Sequence, residues 1–174
     1  MLTKTFYELF GLPPVFDLDL AQLDQAFRRL QAEVHPDRFA AATDSERRQS
    51  LQWATHVNDA YQTLKDPLLR ARYLLQLRGV DTGEESNTAM PAAFLMQQME
   101  WREAIEEAQQ AADIEALETL SRELRHEVRH LQTELSALLD TRGDDAGAAD
   151  TVRKLRFLDK VRAEIDQAIE TLES

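Results

Sequence analysis

Apolar residues recur at spacings of three and four through most of this 174-residue chain, and this pattern limits the possible folds more than any other feature. In the first half, the two clearest stripes are Leu20, Leu23, Phe27, Leu30 and Val34, and then Ala54, Val57, Tyr61 and Leu64. Such spacing gathers apolar side chains on one face of an α-helix. Five glycines and five prolines are too few turn signals for an all-β fold. The sequence therefore predicts an all-α protein.

Charge divides the chain into two unlike parts. Residues 1–78 contain ten acidic and ten basic residues, whereas residues 79–174 contain 22 acidic and ten basic residues. The whole net charge of −12 thus falls on the second part, where it disfavours nucleic acid as a partner because phosphate binding requires cations. We predict one domain over 1–78 and another over 91–174. Residues 79–90, which hold two glycines and no apolar stripe, are the predicted linker.

The two predicted domains differ in helix arrangement. In the first, two helices with matching stripes and a short connection predict an antiparallel hairpin, flanked by short helices over 4–10 and 68–78. In the second, stripes over 91–112, 114–139 and 148–172 predict a three-helix bundle, with a turn over 141–147. The first of these stripes consists of Phe94, Trp101, Ile105, Ala108 and Ala112.

Composition excludes several classes of site. The chain has no cysteine, so disulfides, thiol catalysis and cysteine-bound metal are excluded. Its first residues lack a signal-peptide core, and no apolar run approaches the length of a membrane span. No phosphate-binding glycine loop or nucleophile triad is present. We expect a cytoplasmic protein without a membrane partner, a cofactor or a metal.

His35, Pro36 and Asp37 lie between the two helices of the predicted hairpin. Proline disfavours helical geometry at the residue before it, so the first helix must end at this point. The tripeptide is therefore expected at an exposed bend. A solvated histidine beside an ordinary Pro-Asp turn is the simpler interpretation of the tripeptide taken alone.

The context of this tripeptide resembles the J-domain family. The resemblance covers residues 1–77: a short aromatic helix, a helix with Arg28 and Arg29, His-Pro-Asp followed by Arg38, and then residues 58–67 (Asn-Asp-Ala-Tyr-Gln-Thr-Leu-Lys-Asp-Pro). It implies a co-chaperone module that activates the ATPase of a heat-shock chaperone through His35, Pro36 and Asp37. The three arginines would steer the module toward an acidic chaperone surface. Because Val34 and Arg38 replace a usual tyrosine and lysine, a dedicated chaperone partner is favoured.

Two segments of the second half resemble the C-terminal domain of the HscB family, the J-domain co-chaperones of iron–sulfur cluster assembly. They are residues 93–103 (Ala-Phe-Leu-Met-Gln-Gln-Met-Glu-Trp-Arg-Glu) and 148–161 (Ala-Ala-Asp-Thr-Val-Arg-Lys-Leu-Arg-Phe-Leu-Asp-Lys-Val). The resemblance implies that the bundle binds the scaffold protein IscU and that the J-domain delivers it to an HscA-type chaperone. It also implies that the chain itself is not an enzyme. A J-domain adaptor for a different client is the alternative.

Three large apolar residues lie off the core stripe of the first bundle helix. With Phe94 as zero on a helical wheel, Leu95, Met99 and Met96 lie at about 100°, 140° and 200°. A bundle helix does not need apolar residues there. They form either a wide face packed against the J-domain or linker, or an exposed surface for a partner, to which methionine would bring adaptable contacts.

The family resemblance names the residues of that surface. It implies scaffold contacts by Leu95, Met96, Met99 and Phe157, the last of which lies about 100° from Leu158 at the flank of the final helix. It adds two polar neighbours, Glu100 and Glu103. The apolar residues thus have support from the helical wheel as well, whereas the two glutamates rest on the resemblance.

His126, Glu127 and His130 form a His-Glu-x-x-His match, the pattern of zinc proteases. A metallohydrolase built on these residues is a second hypothesis. Relative to Leu124, however, both histidines point roughly 200–240° away, toward solvent. A catalytic zinc also needs a third ligand and a shaped cavity, which an outer helix face does not supply. We therefore expect a coincidental match.

Overall fold

The computed structural model describes residues 1–83 and 90–174, which form helices joined by short segments and contain no β-strand. These residues divide into two compact units, Met1–Leu74 and Leu75–Ser174. The predicted all-α fold class is therefore confirmed for the part of the chain that is described. Residues 84–89 of the predicted linker lie outside it, so the limits of the linker stay a prediction.

The first unit is organised around a helical hairpin. Its helices are α1 (Phe6–Leu9), α2 (Leu20–Val34) and α3 (Asp44–Lys65), with a 3-10 helical turn over Pro36–Phe39, and it also contains α4 (Pro67–Leu77) as far as Leu74. Near the open end of the hairpin, the Phe27 ring stacks on Tyr61 with centroids 3.9 Å apart. The Tyr61 hydroxyl also donates a hydrogen bond to Oδ1 of Asp24 at 2.7 Å. These contacts hold α2 and α3 antiparallel.

The short helices α1 and α4 pack against each other beside the hairpin. The Phe6 ring stacks on Tyr73 with centroids 4.4 Å apart, and the Phe6 backbone N–H donates to the Tyr73 hydroxyl at 2.9 Å. Arg70 is buried, and two contacts accommodate its charged group. Its Nη1 donates to the Leu64 carbonyl at 2.8 Å, and its guanidinium lies 4.8 Å from the Phe16 ring centroid. Arg70 thus satisfies a carbonyl at the end of α3.

The second unit is a bundle of α5 (Ala92–Gln110), α6 (Ile114–Ser136) and α7 (Asp145–Glu173). Four of the five residues in the predicted stripe of α5 are buried, namely Phe94, Trp101, Ile105 and Ala108. Ala112, the fifth, is exposed and has a positive φ of 53°, because α5 has already ended at Gln110. None of the helices in residues 1–83 and 90–174 is both long and apolar enough to span a membrane.

The connection between α6 and α7 is tighter than predicted. A π-helical segment, Ala137–Arg142, extends α6, and the chain reverses at Gly143, where φ is 63°. Asp144 then begins α7 as its N-cap, with its Oδ1 accepting from the Gly147 N–H at 3.0 Å. The predicted turn over 141–147 is therefore wrong at both ends, since only residues 143–144 separate the two helical segments.

Arginine side chains form hydrogen bonds that join residues 78–82, which precede the bundle, to the bundle itself. Nη1 of Arg78 donates to Oδ1 of Asp145 at 2.8 Å, and its Nη2 donates to the Leu139 carbonyl at 3.0 Å. Further along, Nη1 of Arg153 donates to the Thr82 carbonyl at 2.7 Å. Residues near 78–82 thus belong to the second compact unit.

Candidate functional site

The His-Pro-Asp tripeptide lies at the bend between α2 and α3. His35 has an extended backbone, with φ −60° and ψ 133°, as expected for a residue that precedes proline. Pro36 then occupies the first position of the 3-10 turn, where its fixed φ fits and its missing N–H has no cost. The sequence-predicted bend is therefore confirmed, and His35, Pro36 and Asp37 are all exposed in it.

One hydrogen bond fixes the imidazole of His35. Its Nδ1 accepts from the backbone N–H of Asp37 at 3.2 Å, so Nε2 is the nitrogen that carries the ring proton in this arrangement. Oδ2 of Asp37 lies 3.6 Å from the same nitrogen, beyond hydrogen-bond distance. The two side chains are 53% and 92% exposed, so Nε2 and the carboxylate are presented at the surface together.

Both sides of the bend are anchored to α3. The Ser50 hydroxyl, which is fully buried, donates to the Val34 carbonyl at 2.8 Å and so satisfies a carbonyl at the end of α2. At the start of α3, Thr43 and Glu46 form a reciprocal capping box. Ser50 was not among the residues predicted from the sequence. The available signal was its position seven residues before Val57, which places a polar residue in register with the apolar stripe of α3.

The three arginines assigned from the resemblance are exposed near this bend. Arg38 belongs to the same 3-10 turn as Asp37. Arg28 and Arg29 lie on the last two turns of α2, and Arg29 stands six positions before His35, which corresponds to a rise of about 9 Å. Cationic side chains thus both precede and follow the exposed tripeptide in the sequence.

The apolar residues predicted on α5 are exposed. Leu95 is 44% exposed, and Met96 and Met99 are each 63% exposed. Residues three and four apart are neighbours on a helix surface, so Leu95 and Met96 both adjoin Met99. We call these three residues the α5 patch. Glu100 and Glu103, which are exposed as well, lie four residues beyond Met96 and Met99, respectively.

Phe157 of α7 is half-buried instead of fully exposed. Its ring meets the buried ring of Phe94 edge to face, with centroids 5.7 Å apart. The guanidinium of Arg102 lies 5.6 Å from the Phe157 centroid, within reach of a cation–π interaction. Arg102 was not among the residues predicted from the sequence, although its position seven residues after Leu95 puts it on the same side of α5.

The His-Glu-x-x-His match on α6 does not form a recognisable metal centre. His126 and His130 are exposed, as the helical wheel predicts, and Glu127 is half-buried. Within the described ranges, no group of three or more histidine, aspartate or glutamate side chains is arranged to hold a metal ion. The third ligand that a zinc hydrolase requires is therefore not found beside this pair.

Comparison with known proteins identifies both units. Residues 5–73 match the family model of the DnaJ domain, and residues 90–166 match that of the HSCB C-terminal oligomerisation domain. A co-chaperone protein HscB homolog from Burkholderia mallei is 57% identical over 172 residues, which cover 99% of this chain and 98% of the relative. This chain belongs to the HscB family of co-chaperones.

Solved HscB structures share the fold. Chaperone HscB from Vibrio cholerae superposes with a TM-score of 0.85 at 40% identity, covering 97% of this chain and 99% of the other. Human co-chaperone HscB gives a TM-score of 0.89 at 28% identity, covering 95% and 82%, respectively. Membership of the HscB family makes the chain a J-domain co-chaperone, which works with a heat-shock chaperone and a client, and not an enzyme.

Proposed function

We propose that this HscB-family co-chaperone binds the iron–sulfur scaffold protein IscU through its C-terminal bundle and delivers it to an HscA-type chaperone in the cytoplasm. The J-domain stimulates that chaperone's ATPase, which aids maturation of iron–sulfur clusters. One observation carries the proposal: the chain exposes a His-Pro-Asp bend in one unit and an apolar patch in the other.

The chemistry of the bend supports the chaperone half of the proposal. The His35 ring offers an Nε2 donor, and the 92% exposed Asp37 carboxylate offers an acceptor. Arg28, Arg29 and Arg38 add positive charge, which accelerates encounter with an acidic surface. The bend has the groups needed to bind a chaperone. Because it brings together no nucleophile and base, the ATP chemistry belongs to the chaperone.

The composition of the α5 patch supports the client half. Exposed leucine and methionine side chains lose water-accessible apolar area when a partner covers them, and each fully buried side chain of this size contributes about 1.5–3 kcal/mol. Phe157 and Arg102 extend the same region with a ring and a cation. Glu100 and Glu103 provide a charged rim, which suits a partner with basic groups around an apolar centre.

Joining the two sites in one chain gives the adaptor its effect. A client held on the bundle shares the local volume of a chaperone docked on the J-domain, so its effective concentration at the chaperone rises without any new contact. Cluster chemistry stays with the scaffold in this proposal.

An ATPase assay tests the function. Purified HscA-type and DnaK-type chaperones are each assayed with this co-chaperone, with IscU, and with both. We expect the HscA-type ATPase to rise with the co-chaperone alone and to rise synergistically when IscU is added. Stimulation of the DnaK-type chaperone alone, or additive effects without synergy, would contradict the iron–sulfur assignment and favour an adaptor for a different client.

A further inference from the structure

The two most exposed methionines of the chain are neighbours in the α5 patch. Met96 and Met99 are each 63% exposed, whereas Met1 is 36% exposed and Met90 is half-buried. These are all four methionines in the sequence, and none belongs to the buried core. Since the chain also lacks cysteine, the methionine thioethers are its only sulfur atoms. The sulfur most accessible to a dissolved oxidant thus lies in the patch.

Peroxide reacts with such a thioether in a balanced two-electron step. The sulfur attacks one oxygen of hydrogen peroxide, the O–O bond breaks, and the second oxygen leaves as water after proton transfer. The sulfur is oxidised to a sulfoxide and the peroxide is reduced. Methionine sulfoxide reductases reverse the change with two electrons from a dithiol, which becomes a disulfide while the oxygen leaves as water; one enzyme acts on each sulfoxide epimer.

We propose that Met96 and Met99 form a reversible oxidation site at which hydrogen peroxide weakens binding of the scaffold client. The inference rests on the proposed function, because it assigns a modification to the surface that binds IscU. The modified form is methionine sulfoxide, and the oxidant is hydrogen peroxide.

The physical effect of the modification follows from the setting of the two residues. A sulfoxide replaces a soft apolar sulfur by a strongly polar acceptor beside Leu95, which is 44% exposed. When a client covers the patch, each sulfoxide oxygen loses water and gains no hydrogen bond from Leu95, which is unfavourable for binding. We expect a loss of affinity of about tenfold to a hundredfold.

The rest of the molecule should tolerate this oxidation. Because none of the methionines packs in the core of either unit, a sulfoxide creates no buried unsatisfied oxygen in the unbound protein. Oxidation therefore leaves the cores of both units intact. Helix content before and after peroxide treatment, measured by circular dichroism, should be the same.

Binding before and after oxidation tests the proposal. The full-length co-chaperone is treated with hydrogen peroxide, catalase removes the excess, and peptide mass spectrometry locates the sulfoxides before IscU is added. The readout is the ratio of the Kd for IscU after treatment to the Kd before it. We expect a ratio of about ten or more for the natural sequence, reversed by the two reductases.

Two variants make the test specific. Each is compared with itself, so its starting affinity does not matter. The Met96→Leu/Met99→Leu variant should give a ratio near one, whereas Met90→Leu should keep the ratio of the natural sequence. An unchanged Kd with both sulfoxides present, or a high ratio that persists in the double variant, would overturn the proposal. Failure of the untreated protein to bind IscU would instead refute the proposed function and this inference with it.

Discussion

Nδ1 of His35 accepts a hydrogen bond from the backbone N–H of Asp37 at 3.2 Å, so the residues on either side of Pro36 are held in a fixed relation. The bond resembles a helix N-cap, in which a side chain satisfies a free backbone N–H at the start of a helical turn. It leaves Nε2 and the Asp37 carboxylate available to a partner. Under the proposed function, this hydrogen bond would pre-organise the bend for docking before a chaperone arrives.

Replacing His35 by glutamine should abolish most of the chaperone stimulation. Glutamine keeps the polarity and approximate size of histidine but removes the imidazole ring. In that ring, Nδ1 accepts the hydrogen bond from Asp37 while Nε2 stays available to a partner. We expect stimulation of the HscA-type ATPase to fall by about 30-fold or more, the loss typical of a hot-spot residue. Binding of IscU should be retained, since the α5 patch belongs to the other unit.

His126→Gln is the matched control for that variant, because His126 is an exposed histidine outside the bend. It should keep both stimulation and IscU binding. Loss of IscU binding in His35→Gln would show that the division of labour between the two units is wrong.

Leu95→Ala should weaken binding of IscU by about five- to thirtyfold, because it removes apolar area that the client covers. Leu77→Ala is a closely matched control, since Leu77 is 42% exposed and Leu95 is 44% exposed. Isothermal titration of IscU into each variant gives the two affinities. If both substitutions weaken binding equally, exposure alone explains the effect and the patch has no special role.

Ser50→Ala should destabilise the first unit by about 1–3 kcal/mol, because the Val34 carbonyl would lose its buried donor. Trp53 lies on α3 and Trp101 in the bundle, so a Trp101→Phe background leaves a fluorescence signal from the first unit alone. Urea unfolding in this background gives the free energy difference. The exposed Ser45 provides a control, and Ser45→Ala should change stability by less than about 0.5 kcal/mol.

Arg78 and Asp145 should show measurable coupling in the second unit. Their side chains are 29% and 32% exposed, and a charge-assisted hydrogen bond of 2.8 Å joins them. A double-mutant cycle with alanine, followed by Trp101 fluorescence in a Trp53→Phe background, should give about 1 kcal/mol. Arg78→Ala alone should cost more than Asp145→Ala, because only the first also removes the donor to the Leu139 carbonyl. Equal losses would contradict a role for that carbonyl.

Periodicity predicted the helices well where a full stripe faces a partner. Phe94, Trp101 and Ile105 are buried as expected, because spacing alone decides which face of a long helix is apolar. Spacing does not say where the packing ends. Leu20 continues the stripe of α2 yet is 46% exposed, since it stands at the first position of that helix, and Ala26 is buried instead.

Contacts between helices could not be predicted in the same way. The orientation of the α5 patch followed from angles on one helix, whereas the packing of Phe157 against Phe94 depends on how α7 and α5 approach each other. The bond from Ser50 to Val34 likewise joins residues sixteen positions apart across a bend. Such pairs depend on tertiary packing, which the spacing of residues along one helix does not predict. The functional roles assigned to these residues stay predictions.

Gly147 lies in the first turn of α7, and measurements of overall stability would not detect its replacement by alanine. A Cβ on Gly147 would lie 2.5 Å from Oδ2 of Asp144, so alanine would displace the capping carboxylate. Losing this cap costs about 1 kcal/mol, but alanine is a better helix former than glycine by about the same amount. The unfolding free energy should therefore barely move, while amide hydrogens of residues 145–147 exchange faster with solvent. A substitution at this position can therefore change the local dynamics of the protein without changing its overall stability.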